Sequence, residues 1–157
     1  MSSYFALKAI HITSAAVLFG TGLGIAFFKW ITDRTGNVGA IRVVSEKVVL
    51  ADWLFTLPAI IVQALTGFAL AGMTGYPISH GWLAWSIALF LLAGACWVPV
   101  VWLQIRMRDL ARASEREGQD SVPAGYRAYA RVWFWLGVPA FAAVVLIFWI
   151  MVAKPQV

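Results

Sequence analysis

The chain has 157 residues, of which 62% are hydrophobic and only 12% are charged. A soluble domain has about a quarter of its residues charged, so this composition excludes an ordinary water-soluble protein. The net charge of +5 does not indicate a nucleic-acid partner, because the basic residues flank apolar stretches, where they determine membrane topology.

Four apolar stretches are long enough to cross a membrane, since a spanning helix needs about 20 apolar residues for a core roughly 30 Å thick. We predict an all-α fold, a membrane-spanning four-helix bundle that forms a single domain over residues 1–157. The predicted spans are about 4–30, 48–72, 82–105 and 132–152.

The first span begins close to Met1 without a basic leader, so we expect a retained helix rather than a cleaved signal peptide. A polar stretch, residues 32–47, is expected to form the first loop. Pro58 is expected to kink the second span, because proline frees a helix carbonyl.

A short turn leads to the third span, which is predicted to continue as a wet helix to about Ser114. Residues 115–125 mix charge with Gly, Ser and Pro, which predicts a mobile loop before the last span.

Basic residues are distributed unevenly over the predicted loops. Four lie around the first loop: Lys29, Arg34, Arg42 and Lys47. Six lie around the third loop: Arg106, Arg108, Arg112, Arg116, Arg127 and Arg131. The second loop has none, so the positive-inside rule places loops one and three in the cytoplasm and both termini on the outer, periplasmic side. The predicted location is the bacterial inner membrane.

Polar side chains inside a span are costly and tend to face the bundle interior, so each is a candidate functional group. A helical spacing places His11 and Ser14 on one face of the first helix, and Gln63 and Thr66 on one face of the second. With a rise of about 1.5 Å per residue, these groups and Ser86 of the third helix lie at a similar depth.

His11 is the most informative of these residues, because a neutral imidazole in a helical bundle is a good axial ligand for haem iron. The alternative is a histidine hydrogen-bonded to Gln63 or to a backbone carbonyl. His80, near the outer mouth, is a weaker second candidate ligand and is more typical of an exposed loop histidine.

A second polar group is expected near the inner face. It comprises Asp52, Thr56, Gln104 and Arg106. Asp52 is expected to pair with Arg106 or Arg108 across helices. A solute or proton pathway through Asp52, Gln63 and His11 is a further alternative.

Gly20 and Gly24 form a GxxxG motif, which favours close helix packing or dimerisation.

Four segments resemble a bacterial family of predicted four-helix integral membrane proteins of unknown function. They are residues 7–11 (LKAIH), 19–24 (FGTGLG), 51–56 (ADWLFT) and 95–108 (ACWVPVVWLQIRMR). The resemblance covers nearly the whole chain and implies the architecture only.

A more distant resemblance is to the HemJ-type protoporphyrinogen oxidases, small inner-membrane haem b proteins. His11 after Leu-Lys matches that family's first-helix histidine, and Pro58-Ala59 matches its second-helix Pro-Ala. Ser86 stands in residues 82–86 (WLAWS) where that family has a functional lysine. The resemblance implies haem at His11 and departs from the family at the lysine.

The sequence thus favours a haem b protein acting in electron transfer or haem-linked oxidation, an oxidoreductase if it is an enzyme. His11 is the expected iron ligand, with Ser14, Gln63, Thr66 and Ser86 in the pocket. The expected partners are the lipid bilayer, a second copy of the chain and a quinone or another redox partner. The alternative is a scaffold or accessory subunit that oligomerises through its Gly-rich first helix.

Overall fold

The structure is a computed structural model that describes residues 2–155, and the fold is all-helical. The α-helices are α1 (Ser2–Thr35), α2 (Val38–Ala51), α3 (Leu57–Thr74), α4 (Gly81–Arg116) and α5 (Ala124–Ala153). A π-helical segment, Asp52–Thr56, joins α2 to α3 without a break. Four helical units are long and apolar enough to cross a membrane, which confirms the four predicted helices.

The first predicted loop is wrong, because residues 32–47 are mostly helical. Only residues 36 and 37 interrupt the helices. Gly36 has a φ of +68°, a left-handed conformation that glycine adopts without strain. The Asn37 side chain then accepts a hydrogen bond from the Ala40 backbone N–H at 2.9 Å and caps α2. The polar composition of this stretch indicates where the helix is expected to leave the lipid. The chain nevertheless stays helical beyond that point.

Neighbouring helices run antiparallel. His11, early in α1, contacts Thr66, late in α3, and Glu46 of α2 contacts Arg112, late in α4. Lys154, just after α5, lies 5.7 Å from the ring of Trp82 at the start of α4. One end of the bundle therefore holds the two ends of the described chain and residues 75–80. The opposite end, which we call the far end, holds residues 36–37 and 117–123. Which end faces the cytoplasm stays a prediction.

The π-helical segment lies directly before Pro58. The N–H of Leu57 donates to the carbonyl of Asp52, five residues earlier, instead of four. Proline has no N–H to continue the ordinary ladder, and a π-bulge takes up such a mismatch within an otherwise continuous helix. The helix thus accommodates Pro58 and keeps the side chains of Asp52 and Thr56 buried.

The best-buried apolar side chains cluster at the far end. The cluster comprises Val38, Ile41, Leu103, Met107, Ala111, Val122, Tyr126 and Trp133. Elsewhere many large apolar side chains are exposed, as expected where they face lipid. The hydrophobic effect drives burial only where water is the alternative. A compact core is therefore found at the end of the bundle where the helices extend beyond the predicted spans.

Candidate functional site

A hydrogen-bonded network joins α1 to α3. Nδ1 of His11 lies 2.8 Å from Oγ1 of Thr66, and Nε2 lies 2.9 Å from the amide nitrogen of Gln63. Oγ of Ser14 lies 2.5 Å from Oε1 of Gln63. The prediction that these four side chains share one face and one depth is confirmed.

One tautomer of His11 satisfies this network. The Thr66 hydroxyl donates to the carbonyl of Val62 at 2.6 Å, so it accepts from Nδ1–H of His11. The Gln63 amide then donates to Nε2, and its oxygen accepts from Ser14. A neutral imidazole with the proton on Nδ1 therefore has a partner at both nitrogens.

The backbone of α3 approaches the His11 ring closely at Gly67. A Cβ atom at this position would lie 3.2 Å from Cε1 of His11. Glycine therefore allows the close approach that brings the imidazole within reach of Gln63 and Thr66.

A separate cavity of about 530 Å³ lies among α1, α3, α4 and α5. Its walls are almost entirely apolar, with Leu18, Phe19, Ile60, Phe90, Val100 and Phe141 among the lining side chains. Gly94 and Gly137 also line it, and no atom lies within 4 Å of the Cβ position of either glycine. The volume falls within the roughly 300–1,000 Å³ typical of small-molecule sites.

Four buried polar atoms also line this cavity, namely Oδ2 of Asp52, Oγ1 of Thr56, Oε1 of Gln104 and Nε1 of Trp133, and none makes a hydrogen bond of good geometry among the described residues. The four residues are each less than one-tenth exposed. The Asp52 carboxyl group lies near the polar groups of Thr56, Trp97 and Gln104. An unpaired buried polar group costs roughly 1–3 kcal/mol, so a ligand that formed hydrogen bonds with these groups would be stabilised in the cavity.

Asp52 makes no ion pair among residues 2–155, contrary to the expected pairing with Arg106 or Arg108. Arg106 is exposed and lies over the ring of Trp102, while Arg108 pairs with Asp109 at 2.8 Å. The long basic side chains stay at the bundle exterior, where they remain solvated. The expectation that Asp52, Thr56 and Gln104 form one group is confirmed, without Arg106.

The proposed pathway from Asp52 to His11 is not a continuous polar chain. Thr56 and Gln63 are seven residues apart, about 10 Å along a helix axis. Asp52 and Thr56 line the cavity, whereas Gln63 faces His11 and is absent from the cavity lining. The polar residues of the second span therefore belong to two separate sites.

The residues do not fit a haem bound through His11 in this arrangement. Both imidazole nitrogens have hydrogen-bonding partners, which leaves no free atom to bind iron. His11 does not line the large cavity, and the side chains lining that cavity among the described residues include no histidine, cysteine, methionine or tyrosine. These are the side chains that hold haem iron in proteins.

The two other candidate residues from the sequence lie apart from the His11 network. The Ser86 hydroxyl donates to the carbonyl of Trp82 at 2.9 Å, within its own helix. His80 is exposed at the start of α4, with Nδ1 2.8 Å from Oγ of Ser79. The roles assigned to these residues in haem binding stay predictions.

Sequence reasoning overlooked Trp133 and Lys29. In the sequence, Lys29 stands out only as one of the basic residues around the first loop. Trp133 lies on the buried face of α5, one helical turn before Gly137, and Lys29 is only 1% exposed. The spacing of Tyr126, Ala130, Trp133 and Gly137 follows a helical period, and this period was the available indication of an interior face.

Comparison with known proteins identifies a family. Residues 5–155 match the family described as "Predicted integral membrane protein (DUF2269)". No curated protein and no solved structure matches the chain, so the resemblance to the HemJ-type oxidases is not shown. The match covers nearly the whole chain and agrees with the four spanning helices. The chain belongs to DUF2269, a family of predicted integral membrane proteins.

Proposed function

We propose that the protein binds a membrane-soluble small molecule in the cavity among its four spanning helices. The ligand places an apolar body against the side chains of α1, α4 and α5, and a polar end beside Asp52, Thr56 and Gln104. One observation carries the proposal, namely four unpartnered buried polar atoms in the wall of an otherwise apolar cavity.

The ligand enters from the lipid, between α1 and α5. These helices contact each other where Phe19 stacks on Phe141, with ring centroids 4.9 Å apart, and again where Lys29 meets Tyr126. Leu23 and Val138 lie between these contacts along their helices, line the cavity and are about half exposed. A lipophilic molecule thus has a lateral route that crosses no polar surface.

A cavity-filling variant tests the proposal. The probe is a long-chain hydrocarbon alcohol with a photoreactive diazirine, added to the detergent-purified protein, and labelled peptides are mapped by mass spectrometry. We expect labelling in α4 and α5 to fall at least about tenfold in Gly137→Leu, a loss of roughly 1.4 kcal/mol of binding free energy. The leucine occupies space that is open in the native protein.

Gly72→Leu is the matched control, because Gly72 is exposed on α3, has no atom near its Cβ position and does not line the cavity. We expect this variant to be labelled like the wild type. Labelling that is spread evenly over the lipid-facing surface and does not respond to Gly137→Leu would refute an intramembrane binding site.

Haem b binding and electron transfer remain predictions from the sequence. The visible absorption spectrum of the purified protein, oxidised and reduced, tests them. A Soret band that is lost in His11→Ala would establish haem at His11, and it would require the Gln63 amide to release Nε2. The geometry leads us to expect a colourless protein.

Oligomerisation through the first helix also remains a prediction. Apart from the adjoining residues and backbone of α1 itself, no atom of the described chain lies within 4 Å of the Cβ positions of Gly20 and Gly24, so this surface is free to pack against another helix. The mass of the detergent-solubilised particle, compared between the wild type and Gly24→Leu, tests it.

A further inference from the structure

The four unpartnered atoms of the cavity differ in hydrogen-bonding character, and this difference constrains the ligand. Oε1 of Gln104 can only accept a hydrogen bond, and Nε1 of Trp133 can only donate one. Oδ2 of Asp52 accepts when the carboxylate is ionised, and the Thr56 hydroxyl does both. The complementary ligand group must therefore donate as well as accept.

Common polar ends of lipophilic molecules meet this requirement to different degrees. A carbonyl or an ether oxygen only accepts, so it pairs with Trp133 or Thr56 and leaves Gln104 without a donor. While Asp52 is ionised it supplies no proton to Gln104, so a donor for the Gln104 oxygen must come from the ligand. A hydroxyl both donates and accepts, and it can pair with groups of either kind.

A cationic end fits less well than a hydroxyl. An ammonium group donates hydrogen bonds but cannot accept one from Trp133. Trp133 would then keep a buried N–H without an acceptor.

We propose that the cavity is selective for lipophilic molecules whose polar end is a hydroxyl, of the class of long-chain isoprenoid alcohols and quinols. The hydroxyl donates to Asp52 or Gln104 and accepts from Thr56 or Trp133. This inference rests on the proposed function and adds the chemistry of the ligand's polar end. An isoprenoid alcohol and a quinol share that chemistry, and the test below separates them.

Competition against the diazirine probe tests the selectivity. The competitors are farnesol, its methyl ether, a short-chain ubiquinol analogue and the corresponding ubiquinone. We expect each hydroxyl compound to compete about tenfold more strongly than its ether or quinone partner, as an additional hydrogen bond in a buried site predicts. Stronger competition by the quinol than by farnesol, or the reverse, identifies which of the two sources the site prefers.

Two variants locate the selectivity in the cavity wall. Asp52→Leu and Thr56→Val remove unpartnered polar groups while keeping the number and branching of the side-chain heavy atoms, and we expect both to reduce the preference for hydroxyl compounds severalfold. Ser86→Ala is the matched control, because the Ser86 hydroxyl is equally buried but already bonded within α4. Its preference should equal that of the wild type.

The outcomes separate the two proposals. Labelling that responds to Gly137→Leu but shows equal competition by alcohol and ether would overturn the hydroxyl selectivity and leave the binding site standing. Labelling that no competitor reduces and no cavity variant changes would overturn both. A preference for hydroxyl compounds that survives in both Asp52→Leu and Thr56→Val would also overturn the assignment of the polar end to this wall.

Discussion

An Asp33→Ala variant is expected to lose about 3 kcal/mol of unfolding free energy, near the lower end of values for breaking a buried ion pair. Nζ of Lys29 lies 2.8 Å from Oδ2 of Asp33 and 2.6 Å from the hydroxyl oxygen of Tyr126. The Tyr126 hydroxyl in turn donates to Asp33 at 2.6 Å. Removal of the carboxylate leaves an almost fully buried ammonium group without a countercharge. We expect a loss near the lower end of that range because the Asp33 side chain is 22% exposed and the ion pair is therefore only partly shielded from water.

Unfolding in SDS, followed by tryptophan fluorescence, measures this effect. The control is the double variant Lys29→Met, Asp33→Ala, in which no buried charge remains. We expect it to recover most of the lost stability, because an apolar replacement of a buried pair is often neutral. Equal losses in the single and double variants would show that the carboxylate contributes through packing rather than through its charge.

A Met107→Ala variant is expected to lose about 2–5 kcal/mol of unfolding free energy. Met107 is fully buried in the far-end cluster, between helices α2, α4 and α5. It lies beyond the third predicted span (about 82–105), so its burial removes apolar surface from water rather than from lipid. The loss therefore includes both the transfer free energy and the cavity that remains.

Val98→Ala on the same helix is the matched control. Val98 is 65% exposed, in the part of α4 that is predicted to face lipid, and we expect its truncation to change the stability by less than about 0.5 kcal/mol. The same SDS titration compares the two variants. A Met107→Ala protein as stable as Val98→Ala would contradict a water-driven core at the far end.

The sequence predicted the four long apolar helices well because membrane helices need long apolar stretches that few other structures contain. It also predicted the contact of His11 with Gln63 and Thr66, since helical period and depth suffice to align polar groups on antiparallel helices. The first loop was predicted wrongly because helices that extend into water lose their apolar pattern without ending.

The cavity could not be predicted from the sequence, because a void depends on how far helices separate and not on any single residue type. The small side chains of Gly94 and Gly137 are compatible with either close packing or open space. Likewise, the sequence predicts that Asp52 and Arg106 lie near the same face of the membrane. Whether they pair depends on the direction in which each side chain points. Such directions follow from tertiary packing.

The network of Lys29, Asp33 and Tyr126 has a consequence for how the protein assembles. Synthesis proceeds from the N-terminus, so the first helix enters the membrane with its lysine and aspartate long before the last helix is made. The tyrosine that bonds to both groups is carried by α5. The far end can therefore close only after the final span has been inserted, and an unfinished chain exposes an ion pair that its last helix would otherwise cover.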